Sequence, residues 1–381
     1  MKLFKSLLVA PATLGLLAPM AATANEVTIN DFNPAEELAI TNSRVDGLEA
    51  RLNNFEAGSF SETTTASFTV EGMIGYEDTA DATAPTNEDA VTSAYSLQID
   101  LNTSFTGEDS LDISLDAGNA GVEGLDEFDG NNTTVGTSDV EGLAVDGVSY
   151  TFPIGESTTA FVGFDTDGSA LFTTACVYGG PGATLSDCGA PNAGITAGEI
   201  TVAASYDIGN GFTAAAGAQT DNTSVFTEES GDAYAFNLAY TADNYGLSLT
   251  YGVLEATVGG VLIDEEDKYT ALNAYYTPEG NLPSISVGYE VGDFSGAGAD
   301  VDESSSFMVG LTWDEVGPGS AGVALGHTNT NESNDELYQY EAYYSYPVND
   351  SMTITPLIYT LDAAGDVDDT TGMMVKTSFT F

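Results

Sequence analysis

Met373-Met374-Val375-Lys376-Thr377-Ser378-Phe379-Thr380-Phe381 is the stretch whose reading decides the fold. Alternate residues Met373, Val375, Thr377, Phe379 and Phe381 form a mostly apolar, aromatic face. The interleaved Met374, Lys376, Ser378 and Thr380 carry hydroxyls and a charge. A period of two is that of a strand. A soluble sheet seldom ends on an aromatic with a lysine on the opposite face. The closing strand of a membrane barrel has this form: apolar outward to lipid, polar inward to a lumen, an aromatic at the interface.

The residues before it repeat the pattern. In 95–105, Tyr95, Leu97, Ile99, Leu101, Thr103 and Phe105 alternate with Ser96, Gln98, Asp100, Asn102 and Ser104. In the next arm Leu111, Ile113 and Leu115 alternate with Asp112, Ser114 and Asp116. Residues 58–381 hold about 16 such candidates, of the length that tilted strands need to cross a bilayer. Among them are Phe60–Tyr76, Glu141–Pro153 and Lys268–Thr277. Their connections alternate short and long. Gly107-Glu108-Asp109, Ile208-Gly209-Asn210 and Ala242-Asp243-Asn244 carry turn chemistry. Glu77–Thr92, Asn119–Val140, Thr166–Ala197 and Ala256–Asp267 are long. A bacterial transmembrane barrel places tight turns at one end and long loops at the other, with an even strand number. The fold class expected is therefore all-β, a transmembrane antiparallel β-barrel of about 16 strands with a short amino-terminal helix.

The amino terminus reads as a signal peptide, residues 1–24. Lys2 and Lys5 precede an apolar stretch, Leu7 to Ala22, broken by Pro11 and Pro19, and Ala22-Thr23-Ala24 is a small-x-small cleavage site. The run is too short and interrupted for a membrane helix. An exported chain with no later apolar run belongs to the periplasm, the cell surface or the outer membrane.

Residues 25–57 read as a periplasmic leader followed by a helix. Leu38, Thr41, Val45, Leu48, Leu52 and Phe55 recur at spacings of three and four, a heptad seam over Glu36–Glu56. That helix is expected either to pack on or plug the barrel, or to self-associate as a trimer.

Composition narrows the function. The 381-residue chain carries 6 Lys+Arg against 59 Asp+Glu, a formal charge of −53. Without the signal it keeps 4 basic residues and reaches −55. Nucleic acid is excluded as a partner, because its binding needs a basic surface. With 42% hydrophobic and 10% aromatic residues the chain is not a disordered polyanion. Cys176 and Cys188, the two cysteines, lie in a loop-like stretch and are expected to form a disulfide in an exported protein. No cofactor, metal ligand set or catalytic residue is expected. His327 is the single histidine and is expected to be an exposed strand-end residue. The acidic runs Asp264-Glu265-Glu266-Asp267 and Asp126-Glu127-Phe128-Asp129 are expected in long loops, either simply solvated or as low-affinity divalent-cation sites, and they lack the spacing of a dedicated calcium loop.

Several blocks resemble one family. They are Arg44-Val45-Asp46-Gly47-Leu48-Glu49-Ala50-Arg51-Leu52 with Phe60-Ser61-Glu62-Thr63-Thr64-Thr65, Leu101–Gly107, Leu282–Glu290, Trp313–Gly322, Tyr340–Asn349 and Val375–Phe381. Together they resemble cyanobacterial outer-membrane porins related to the carbohydrate-selective OprB type and to iron-uptake porins, in a short form without an S-layer-homology domain. The resemblance implies a homotrimer in outer-membrane lipid that passes small hydrophilic solutes. It also implies that the third outer loop, Thr166–Ala197, folds into the lumen, where the Cys176–Cys188 link would stiffen it.

Only Lys268 and Lys376 are basic after Gly58, so a carboxylate-lined pore is expected to prefer cations. Asp100, Asp112, Asp116 and Lys376 are the candidate lumen residues. The first rival reading is a structural or adhesin-type barrel with a closed lumen; the second is a barrel enzyme such as a lipase or protease, which needs a Ser-His pair built on His327.

Overall fold

The computed structural model describes residues 64–381, apart from the internal segments 79–89, 121–124, 126, 129–141, 184, 196–197, 222–224, 226, 228–230, 259–260, 294–302, 332–336 and 364–368. The expected signal peptide and amino-terminal helix lie outside the described residues. Sixteen strands follow one another: β1 Thr64–Asp78, β2 Thr92–Thr103, β3 Ser110–Gly118, β4 Ala144–Ile154, β5 Thr158–Thr166 and β6 Gly198–Gly209. Next come β7 Phe212–Thr220, β8 Ala233–Thr241, β9 Tyr245–Val258, β10 Val261–Tyr276 and β11 Ser284–Asp293. The last are β12 Glu303–Val316, β13 Gly319–Asn331, β14 Gln339–Asn349, β15 Met352–Leu361 and β16 Thr370–Thr380.

Each strand pairs antiparallel with its sequence neighbours, and β16 returns to β1, so the sheet is a closed barrel. The seam runs from Thr69 opposite Thr380 to Asp78 opposite Thr371. The carboxy-terminal residue completes it: Phe68 N donates to Phe381 O at 2.9 Å and Phe381 N to Phe68 O at 3.1 Å. The two rings stack with centroids 5.6 Å apart. In hydrocarbon an unpaired backbone amide or carbonyl costs several kcal/mol, far more than any single packing contact supplies, so a lipid-facing sheet must close. Among the described residues no helix is long and apolar enough to cross a membrane. Strands make the crossing.

The alternation read from the sequence separates two environments. Along β11, Ile285, Val287, Tyr289 and Val291 point outward and stay exposed, while Ser284, Ser286, Gly288, Glu290 and Gly292 point inward and are buried. The same holds in β16, where Met373 is 58% exposed and Met374 1%. Ile74, Phe164, Phe236, Leu238, Leu249, Leu272 and Ile358 continue the exposed apolar belt. So much exposed apolar surface has no place in water. It matches the lipid-facing band of a transmembrane barrel.

Three expectations are corrected. Glu127 and Phe128, of an acidic run expected in a solvated loop, are buried, at 2% and 6% exposed. The long connection expected at Ala256–Asp267 is mostly strand: β9 and β10 continue the ladder, with Glu255 opposite Glu266 and Leu254 opposite Asp267. The acidic run Asp264–Asp267 therefore lies in β10 rather than in a loop. A register shift between Leu262 and Glu266 accommodates it. His327 is not an exposed strand-end residue. It is 5% exposed and lies edge-on to Phe307 and Tyr338, with centroids at 4.7 and 6.0 Å.

Candidate functional site in the lumen

The barrel interior is where two connections meet the inward-facing side chains. The β5–β6 connection, 167–197, enters the lumen and is pegged to successive strands. On β8, Asn237 Oδ1 accepts from Thr173 N at 3.1 Å and its Nδ2 donates to Thr173 O at 3.2 Å. On β9, Ser248 Oγ accepts from Ala175 N at 2.9 Å. On β11, Ser286 Oγ accepts from both Val177 N and Tyr178 N, at 2.9 and 3.0 Å. The hydroxyl of Tyr178 reaches β14 and donates to Glu341 Oε1. Burial, and then the charge of Glu341, pushes that hydroxyl far above its ordinary pKa and keeps it a donor.

The return limb is held as firmly. Glu290 Oε2 accepts from Ala193 N at 2.8 Å and Asn192 N at 3.1 Å, and Oε1 accepts from Asn192 Nδ2 at 2.8 Å. On β10, Asn273 Nδ2 donates to Cys188 O at 2.8 Å. A disulfide joins Cys176 to Cys188 across the two limbs, with Cα atoms 6.3 Å apart. Close approach of the loop backbone requires bare wall. A side chain at Gly252 would begin 2.6 Å from Ala193 O, and one at Gly288 would overlap Cys188 O.

Described residues of the β3–β4 connection also contribute. Leu125 and Phe128 join Tyr178, Leu185 and Cys188 in one apolar cluster with the inward side chains Met73, Met308, Tyr343, Leu357, Tyr359 and Met374. The lumen wall along β12–β16 and β1 is thus covered by packed side chains.

The wall of β2 and β3 is acidic. Asp100 on β2 accepts from Gln98 Nε2 at 2.9 Å and Ser114 Oγ at 2.7 Å. Asp112 on β3 accepts from Asn102 Nδ2 at 2.5 Å and Ser110 Oγ at 2.7 Å. Asp116 shares their inward face, is 4% exposed, and lies opposite Gln98. These three carboxylates therefore come together on adjacent strands. Lys376 also points inward, from β16, but it is paired. Its Nζ lies 2.9 Å from Glu71 Oε2 on β1 and 5.9 Å from the centre of the Phe128 ring. Glu71 also accepts from Ser378 Oγ at 2.8 Å. The other lysine of the described strands, Lys268, lies off the inward face and pairs with Glu266 at 3.3 Å.

Sequence reasoning missed Asn237, Ser248, Ser286, Glu290 and Glu341, the residues that hold the inward loop. For the first four the signal was available: polar side chains interleaved with glycine, alanine and small hydroxyl residues on inward faces mark where a backbone lies against the wall, whereas Glu341 sits between Gln339 and Tyr343 and carries no such mark. Among the described residues no group of three or more His, Cys, Asp or Glu side chains forms a metal cluster.

The geometry defines a class: a closed 16-stranded β-barrel with an apolar exterior and a pegged inward loop. No protein-family profile matches the chain. It is similar to an uncharacterized protein of Nostoc sp., 28% identical, over 98% of this chain and 75% of that protein. In three dimensions it is similar to OprB of Pseudomonas putida, with a TM-score of 0.55 and 13% identity over 84% of this chain and 94% of that one. A mutant of the Rhodopseudomonas blastica porin gives a TM-score of 0.55 and 12% identity over 83% of this chain and 100% of that one. At such identities the likeness establishes the fold, that of the 16-stranded porins.

Proposed function

We propose that this protein is an outer-membrane porin, a channel and not an enzyme, through which small hydrophilic solutes and ions diffuse passively with a preference for cations. The observation that carries the reading is the pairing of an apolar, lipid-suited exterior with an interior whose inward lysine is already neutralised by Glu71, leaving Asp100, Asp112 and Asp116 to set the sign of the field. Carboxylates in a narrow, low-dielectric passage raise the local cation concentration and oppose anions. Export through residues 1–24, residence in outer-membrane lipid and assembly as a homotrimer belong to the same reading. Uptake of carbohydrate or iron is a narrower version of it, carried by family resemblance alone. The test is liposome swelling with uncharged solutes of increasing size: swelling that falls off with solute radius supports a pore.

One observation favours the alternative of a structural barrel with a closed lumen. The apolar cluster of Leu125, Phe128, Leu185, Met308, Leu357 and Met374 fills part of the interior. Protein that inserts into planar bilayers and stays electrically silent supports that alternative.

A further inference from the structure

Where Glu127 of the β3–β4 connection and the 167–197 connection meet β14, two carboxylates converge. Glu341 is 5% exposed and Glu127 2%. Both direct Oε2 at Gly182, where a side chain would strike the two oxygens together, and Glu341 Oε1 lies equally close to Gly180. Tyr178-Gly179-Gly180-Pro181-Gly182 therefore curls around the Glu341 carboxylate, and glycine leaves the room for it to do so. Tyr178 satisfies Oε1. Oε2 of Glu341 is buried and has no hydrogen-bond partner among the described residues.

A buried anion needs a compensating charge or donor. Neither Lys376, engaged by Glu71, nor Lys268, engaged by Glu266, supplies one to Oε2 of Glu341. An acidic lumen concentrates small cations from the medium. All the groups at the convergence are oxygen donors, the preference of calcium and magnesium rather than of softer metals.

We propose that Glu127 and Glu341 hold a divalent, oxygen-preferring cation, calcium or magnesium, which ties Glu127 and the adjoining Phe128 to the inward loop and to the wall of β14. Loading the ion fixes Leu125 and Phe128 in the apolar cluster, and removing it releases them. The proposal stands whether or not the barrel conducts, so its test is separate from that of the porin reading.

The full chain, purified in detergent, is titrated with terbium while tyrosine is excited, since Tyr178 adjoins the convergence and can sensitise the bound ion. Wild-type protein is expected to show a tight class of emission displaced by calcium. Glu127→Gln and Glu341→Gln are each expected to weaken that class about tenfold or more, as loss of a carboxylate ligand does. Chelation with EDTA is expected to lower the thermal midpoint of wild type and to leave both variants unmoved. Glu127 is in a connection, so its variant keeps the strand ladder, which heat-modifiable gel migration checks. Emission that is the same in wild type and both variants overturns the proposal. So does indifference to EDTA combined with a Glu341→Gln variant at least as stable as wild type, because that pattern belongs to two carboxyls sharing a proton.

Discussion

Asp109 collects five donors onto one carboxylate in the β2–β3 turn. Oδ1 accepts from Phe105 N at 3.0 Å, Thr106 N and Oγ1 at 2.7 Å each and Ser104 Oγ at 2.9 Å, and Oδ2 accepts from Tyr150 OH at 2.6 Å. The Tyr150 bond first, with the Thr106 and Ser104 bonds behind it and burial opposing them, holds this carboxyl well below the usual aspartate range. A lowered folded value means that the stabilisation is complete above the unfolded aspartate pKa of about 3.9 and fades as the pH falls through the folded value. Unfolding midpoints of wild type and Asp109→Asn are therefore expected to differ by a constant amount above about pH 5 and to converge in strong acid. A gap that persists unchanged in strong acid contradicts this. At Glu290 the two oxygens accept three bonds from Asn192 and Ala193, and the side chain is 1% exposed. Glu290→Gln puts an amide NH₂ against those donors. It is expected to cost about 1–3 kcal/mol, and more if the charge carries the clamp. Hydrogen exchange at Asn192 and Ala193 should accelerate while exchange along the strands holds.

The strands were the legible elements. Lipid on one side and a lumen on the other impose a period of two, so β11 and β16 are visible in the residues themselves. Outward positions should resist charge. Val287→Arg, in mid-belt on β11, is expected to destabilise the barrel by about 2–4 kcal/mol in a lipid-bilayer unfolding titration, whereas arginine at an inward, unpegged position costs less. The outer ends of β9 and β10 were not legible. Asp264-Glu265-Glu266-Asp267 has turn composition, and only the cross-strand partners Glu255 and Leu254 make it strand. His327 misled for a similar reason, since the aromatic neighbours that bury it, Phe307 on β12 and Tyr338 just before β14, come from outside its own strand. The inward loop was expected from the family resemblance, but its pegs were not. Ser286 looks like any lumen-facing hydroxyl until the loop backbone is seen above it.

At the scale of the whole molecule the charge distribution governs behaviour. A chain of formal charge −53 presents Asp100, Asp112 and Asp116 on one part of the lumen wall and spends Lys376 on Glu71 elsewhere. Lys376→Met leaves the half-buried Glu71 without its counter-ion. It is expected to strengthen cation preference while weakening the β16–β1 seam, which a lowered melting temperature of the barrel would register. The most direct measurement is the reversal potential of the purified protein in a planar bilayer under a salt gradient. A potential of the sign set by cation flow, reduced by Asp100→Asn with Asp112→Asn, is the predicted result. Steady conductance that prefers anions, or a barrel that inserts and never conducts, would contradict the account.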